Sequence, residues 1–420
     1  MTVRVLDTEA HSAPRIACYS HDTVGLGHTR RNIAVATSMI NSWPGANAMM
    51  ITGNPEATSL WLPPRTDVVT LPTVTKDTAG RYRSRTLNAS LDSVVHMRSA
   101  LIEAAVTSFA PDLLIVDKVP LGVAGELTPA LRRLRAEHDT KIVLGLREIL
   151  DDPLSAVAEW ARSGATETIE EFYDAVWIYG DRLVYDPIVE YGLPDSVADR
   201  CVFTGYLAAD RFLETGGAAT IPEPAAEPYV LCTVGGGQDG AELARTFAAT
   251  PLPAGHDGIV VCGPFMTEVD REAVHAAAEA MPQMTSVDFV PDLHRLIGGA
   301  AAVVSMAGYN SVCEVLATDR PALLVPRTAP RTEQLLRARR LADLGAADLL
   351  PPERLDVRRL AEWTAAAVAG ARPCAASRAG VDIDGLRRLP TIAERLLTTV
   401  PARTTTAPRT ARRGVDHRAA

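Results

Sequence analysis

The strongest constraint in this chain is an alternation that runs twice. Short runs rich in β-branched residues recur at 15–19, 48–52, 68–71, 112–116, 141–146, 175–178 and 201–204. Ala/Leu/Arg-rich segments such as 29–40 and 90–109 fill gaps between them and read as helices. Short apolar strands separated by helical crossovers form parallel sheets, because two parallel neighbours cannot be joined by a tight turn. The pattern restarts at 229–233 and continues through 258–262, 285–289, 302–305 and 322–325. Residues 208–228 separate the two series and carry Gly216, Gly217, Pro222, Pro224 and Pro228, a composition suited to a linker. The expectation is an α/β chain of two Rossmann-like doubly wound domains, 15–207 and 229–400, facing a central cleft. A flexible tail is expected at 1–14, and a Thr/Pro/Arg-rich disordered tail at 401–420. An amphipathic segment at 384–398 is placed to cross back onto the first half.

With 420 residues, each half can bury its own core. The formal charge of -9 argues against a general nucleic-acid binder. Cys18, Cys201, Cys232, Cys262, Cys313 and Cys374 form no C-x-x-C and read as free thiols in a reducing compartment. No basic-then-apolar leader and no apolar run long enough for a membrane span is present, so the reading is cytoplasmic. Peripheral membrane contact stays open, since Lys76, Arg81, Arg83 and Arg85 could meet an anionic acceptor or a lipid headgroup as well as solvent.

After the first strand comes Gly25-Leu26-Gly27-His28-Thr29-Arg30. Arg30 occupies the third glycine position of a dinucleotide fingerprint, so that motif is broken. A glycine turn at the carboxyl end of a strand still lets a ligand approach the backbone, with the following helix N-terminus favouring negative charge. His28 would stand at the mouth of this crevice. The apolar run 112–116 ends in Asp117, which neighbouring parallel strands would bring toward His28. A carboxylate on one ring nitrogen leaves the other as a base. Glu148 and Asp151 follow the next strand and are reserve acid/base candidates, with a solvated loop as their plainer reading.

In the second half, the first strand runs into Gly235, Gly236, Gly237, Gln238, Asp239 and Gly240, a turn whose N–H groups suit a diphosphate. A second strand–turn–helix passage is Ser305-Met306-Ala307-Gly308-Tyr309-Asn310-Ser311-Val312-Cys313-Glu314. Asn310 and Ser311 are expected to cap the helix, and Glu314, on its first turn, to accept ribose hydroxyls. Farther on, Glu333 and Gln334 could bind sugar hydroxyls, while Arg327 and Arg331, with Arg30, could neutralise phosphate.

From 15 to 350 the chain resembles the inverting GT-B glycosyltransferases, most of all the branch of the peptidoglycan N-acetylglucosaminyltransferase and more loosely the plant natural-product enzymes. The G-x-G-H loop matches Gly25, Gly27 and His28, and the plant branch's His–Asp dyad falls on His28 and Asp117. The G-G-x-Q turn matches Gly236, Gly237 and Gln238. An aromatic-x-Pro segment matches Phe289, Val290 and Pro291, where Val290 would meet the base edge and Phe289 pack on it. G-[WY]-N-S-x-x-E is matched by Gly308, Tyr309, Asn310, Ser311 and Glu314, and the acidic-Gln pair by Glu333 and Gln334. Three features depart: Met306 stands where relatives carry His or Arg, Gly237 where serine is common, and Asp239 is inserted before Gly240.

The resemblance implies an inverting, metal-independent transferase. It would move a sugar from a nucleotide diphosphate donor, UDP before dTDP, onto a hydroxyl of a small or lipid-linked acceptor. The nucleotide sugar is a co-substrate, and no further cofactor or metal is expected. Alternatives are a nucleotide-sugar epimerase or hydrolase on the same fold, favoured by carboxylates facing the sugar, and a non-catalytic nucleotide-sugar-binding protein.

Overall fold

A computed structural model describes residues 13–22, 27–76, 81–209, 228–290, 293–370 and 379–398. Gly25, Pro291, Cys374, most of the expected linker and nearly all of both tails lie outside the described residues.

The first sheet contains β1 (Arg15–Ser20), β2 (Asn47–Thr52), β3 (Thr66–Thr70), β6 (Leu113–Asp117), β7 (Lys141–Arg147), β8 (Ala175–Tyr179) and β9 (Cys201–Phe203). A small antiparallel hairpin, β4 (Val74–Lys76) and β5 (Tyr82–Ser84), stands apart from it. The second sheet contains β10 (Tyr229–Thr233), β11 (Asp257–Val261), β12 (Met284–Val287), β13 (Ala302–Ser305), β14 (Ala322–Leu324) and β15 (Asp348–Leu349). Every pairing within the two sheets is parallel. The hairpin and the two-residue β15 are additions to the sequence expectation; both are too short to carry a periodic signal.

Strand order is β3-β2-β1-β6-β7-β8-β9 in one sheet and β12-β11-β10-β13-β14-β15 in the other. In each, the chain winds outward from a central strand in one direction and then restarts in the other. The crevice opens where the direction reverses, between β1 and β6 and between β10 and β13. The central strands are apolar on both faces, as helix-covered parallel strands must be: all five residues of β6 are buried, and four of five in β10.

The first crossover helix runs Gly27–Ser42, starting two residues earlier than the sequence pattern implies, so His28 sits inside its first turn. Ser90 caps the helix Leu91–Phe109 by accepting from the Ser93 N–H, and Ala110 ends it in the left-handed region. The helix Gly385–Thr398 does return to the first domain. Leu386, Leu389 and Ala393 are buried there, and Ser38 Oγ donates to the Leu386 carbonyl.

The two places where chain passes between domains lie side by side. Tyr206 N–H donates to Asp382 O at 2.8 Å, Ala209 N–H to Ile383 O at 3.0 Å, and Gly385 N–H to Tyr206 O at 3.0 Å. One apolar cluster continues through Tyr206, Leu207 and Ala208 from the first core to the second. Among the described residues, no helix is long and apolar enough to cross a membrane.

Candidate active site

The two switch points face each other across a cleft with a cavity volume of about 260 Å³. From the first domain, Gly27, His28 and Arg30 reach it. From the second come the turn Gly236-Gly237-Gln238, the pair Phe289 and Val290, and Gly308, Tyr309, Asn310, Ser311 and Glu314. Arg327, Glu333 and Gln334 complete that wall. The sequence motifs of both halves therefore share one cavity.

On the first wall, His28 Nδ1 lies 2.7 Å from Asp117 Oδ2. The helix places the ring at the crevice, and the end of β6 places the carboxylate behind it. Asp117 is buried, and its second partner was not foreseen: Arg31 Nη2 donates to Oδ1 at 2.6 Å and to Oδ2 at 2.5 Å. Burial alone would raise the Asp117 pKa, but Arg31 and His28 outweigh it and hold the carboxyl well below the usual range. The ionised carboxylate fixes the His28 ring through Nδ1, which leaves Nε2 to act toward a ligand. Arg31 lies three residues after His28 on one helix, and i,i+3 positions share a face. That spacing was the available signal. His21 packs against His28 with ring centroids 5.1 Å apart. Burial, followed by the His28 and Lys118 charges, pushes the His21 pKa well below the ordinary imidazole value.

On the second wall, the glycine turn is held by backbone interlock. Gly237 has φ +91° and Gly263 φ +86°, and Phe265 N–H donates to Gly236 O at 2.8 Å. A Cβ on Gly237 would stand 2.4 Å from Cys262 O. A serine at this position would clash with backbone, which explains the glycine found there. Helix Tyr309–Leu316 begins after Gly308, which makes no side-chain cap. Asn310 and Ser311 are thus not its caps, contrary to the sequence expectation. Asn310 Nδ2 instead donates across the cleft to Gly27 O at 2.9 Å. The uncapped helix start leaves its N–H groups available to an anion. Glu314 falls on the second turn, not the first, and its Oε1 lies 3.3 Å from Arg30 Nη2. Tyr309 is almost wholly buried and stacks on Tyr206 at 5.9 Å, with the Arg31 and Arg337 guanidinium groups 5.6 and 5.8 Å from its ring centroid. Arg327 is drawn to Glu333 at 2.7 Å and Asp239 at 3.1 Å, and its N–H donates to Gln334 Oε1 at 3.3 Å.

Three further expectations are corrected. Glu148 is fully buried and accepts from Arg337 Nε at 2.6 Å and from Tyr206 Oη at 2.8 Å. It neither faces the cleft nor sits in a solvated loop. Asp151 is also buried, and it accepts the Thr332 N–H at 2.9 Å with Arg331 Nη1 at 3.6 Å. Both carboxylates join the domains and are unavailable as acid or base. Arg331, paired with Glu159 at 3.0 Å and with Asp151, is absent from the cleft wall. Arg147, at the end of β7, does line the cleft and was given no role from sequence.

Residues 232–379 match the family described as glycosyltransferase family 28 C-terminal domain. The UDP-N-acetylglucosamine–N-acetylmuramyl-(pentapeptide) pyrophosphoryl-undecaprenol N-acetylglucosamine transferase of Histophilus somni is 31% identical over 97 residues, 23% of this chain and 26% of that one. The enzyme of the same name from Chelativorans sp. is 27% identical over 175 residues, 40% of this chain and 47% of that one. The matched segments thus span about a quarter to a half of these relatives' length. Solved structures align over nearly the whole chain. The calicheamicin glycosyltransferase CalG4 gives a TM-score of 0.54 at 16% identity, covering 91% of this chain and 95% of that one. MurG of Acinetobacter baumannii gives 0.53 at 15%, covering 91% and 99%. A Listeria monocytogenes protein assigned as a UDP-N-acetylglucosamine 2-epimerase gives 0.63 at 8%, covering 91% and 95%. At such identities the likeness gives the fold, which is GT-B.

Proposed function

We propose that this GT-B protein is a glycosyltransferase that moves a sugar from a nucleotide diphosphate, UDP first, to a hydroxyl of a small or lipid-linked acceptor. One observation carries the reading: a histidine oriented by a buried carboxylate opens into the same cavity as the glycine turn, the uncapped helix and Glu314.

The nucleotide lies along the second wall, with Val290 and Phe289 at the base and Glu314 at the ribose. The diphosphate rests on the N–H groups of Gly236, Gly237 and the Tyr309 helix, which stabilise the leaving group as charge develops. Glu333 and Gln334 meet sugar hydroxyls. His28 Nε2 takes the acceptor proton while the acceptor oxygen attacks the anomeric carbon from the face opposite the diphosphate, inverting that centre. Backbone dipoles and arginines offset the diphosphate charge, so the reading requires no metal. The epimerase or hydrolase alternative leaned on Glu148 and Asp151 as carboxylates facing the sugar, and both are committed to interdomain contacts.

The test is calorimetric titration with UDP, dTDP and GDP, without and then with Mg²⁺, on the wild type and on Glu314→Ala. Binding of one nucleotide without metal, weakened at least about tenfold in the variant, is expected from loss of a charge-assisted ribose contact. No binding of any of the three by the wild type would overturn the proposal.

A further inference from the structure

The cleft arginines can be matched one by one with carboxylates. Arg30 pairs with Glu314, Arg31 with Asp117, and Arg327 with Glu333 and Asp239. Arg147 is the exception. Among the described residues its side chain has no hydrogen-bond or ion-pair partner, and its Nε, like those of Arg31 and Arg327, is buried and unsatisfied. The carboxylate next to it in sequence, Glu148, is taken by Arg337 and Tyr206. Burial, followed by the nearby Arg337 and Arg31 charges, pushes the Arg147 pKa down to about 10, with Glu333 and Glu148 opposing. The side chain thus remains a cation near neutral pH. A partly buried cation without a counter-ion is costly, and the cost is relieved when an anion arrives. Arg147 opens on the cavity that holds Glu333, Gln334 and the glycine turn.

We propose that Arg147 is the first domain's anion-binding residue, donating its guanidinium N–H groups to an oxyanion of the ligand in this cleft. The inference rests on the nucleotide-sugar reading above and adds a contact that the second domain does not supply, since its own cleft arginine, Arg327, is held by two carboxylates. Two sources offer the same chemistry: the donor diphosphate, or a carboxylate on the transferred sugar. A guanidinium holds either by paired, charge-assisted hydrogen bonds. Because Arg147 stands on the wall opposite the nucleotide, its grip would also draw the two domains together around the ligand.

The experiment compares wild type, Arg147→Ala and Arg147→Lys by calorimetry with four probes: uridine, UDP, UDP-glucose and UDP-glucuronate. If the diphosphate is the ligand, Arg147→Ala weakens UDP by about tenfold to a hundredfold and leaves uridine unchanged, with partial recovery in Arg147→Lys. If a sugar carboxylate is the ligand, UDP is unaffected and UDP-glucuronate weakens relative to UDP-glucose. Equal loss for uridine and UDP would signal a purely structural role and overturn the inference. So would unchanged binding of all four probes. Failure of the wild type to bind UDP would instead remove the functional reading, and this inference with it.

Discussion

Glu148 and Arg337 form an ion pair between domains with neither side chain exposed. Arg337 donates Nε to Oε1 at 2.6 Å and Nη2 to Oε2 at 3.3 Å, while Nη1 goes to Ala307 O at 3.0 Å. Burial by itself would lower the Arg337 pKa, but Glu148 more than offsets this and keeps the guanidinium charged. Glu148→Gln preserves side-chain shape and an acceptor for Tyr206, yet leaves Arg337 as a buried cation. The expected loss of stability is about 3–5 kcal/mol. A control with the same chemistry on the surface, Arg358 and Glu362, is 70% and 60% exposed. Breaking that pair should cost about 0.5 kcal/mol or less. In the double variant Glu148→Leu with Arg337→Met, both charges leave together and most of the loss returns. About 1–3 kcal/mol of loss remains because the Tyr206 hydroxyl loses its acceptor and the Ala307 carbonyl its donor, and adding Tyr206→Phe should remove the first part of it. Urea unfolding of Glu148→Leu and Arg337→Met, alone and together, gives the coupling energy directly. A Glu148→Gln cost no larger than that of the surface control would refute the argument from burial.

His28→Ala should lower turnover about 10²- to 10⁴-fold while nucleotide affinity, by calorimetry, stays within about threefold. His21 is held neutral in the fold, whereas the unfolded chain takes up a proton near pH 6.5. Stability should therefore fall as pH drops below about 6.5, by up to about 1.4 kcal/mol per pH unit, and His21→Gln should flatten that slope in urea titrations. Asp117 acts in a separate window: its folded pKa is depressed, so its contribution is intact above about pH 4 and is lost only under stronger acid. Gly237→Ser places a Cβ against Cys262 O at positive φ and should cost about 1–3 kcal/mol in unfolding measurements, with weaker UDP binding.

The sheets and the glycine turns were legible because they rest on local signals: apolar runs of strand length and glycines at strand ends. The errors share a different origin. Glu148 reads as a crevice carboxylate until Arg337, 189 residues on, is seen to neutralise it. Asp151 meets Thr332 across 181 residues, and Asn310 reaches Gly27 across 283. At each of these sites a polar side chain had a plausible local role, as base or as cap, and a distant partner claimed it. Arg147 escaped notice for the reverse reason. Its significance is a partner that is missing, and that can be recognised only when the surrounding charges have been placed.

The antiparallel run of Tyr206–Ala209 beside Asp382–Gly385 has a mechanical consequence. One strand of chain between two bodies is a swivel, free in every direction. Two short segments tied by three hydrogen bonds are the knuckles of a door, and they leave one easy axis, parallel to themselves. The cleft should open and shut about that line and resist twisting across it. A chain cut just before Val381 would lose the second knuckle and expose the apolar side of the Gly27–Ser42 helix that Leu386, Leu389 and Ala393 help cover. Such a protein would keep its nucleotide motifs and lose the fixed path by which His28 arrives opposite them.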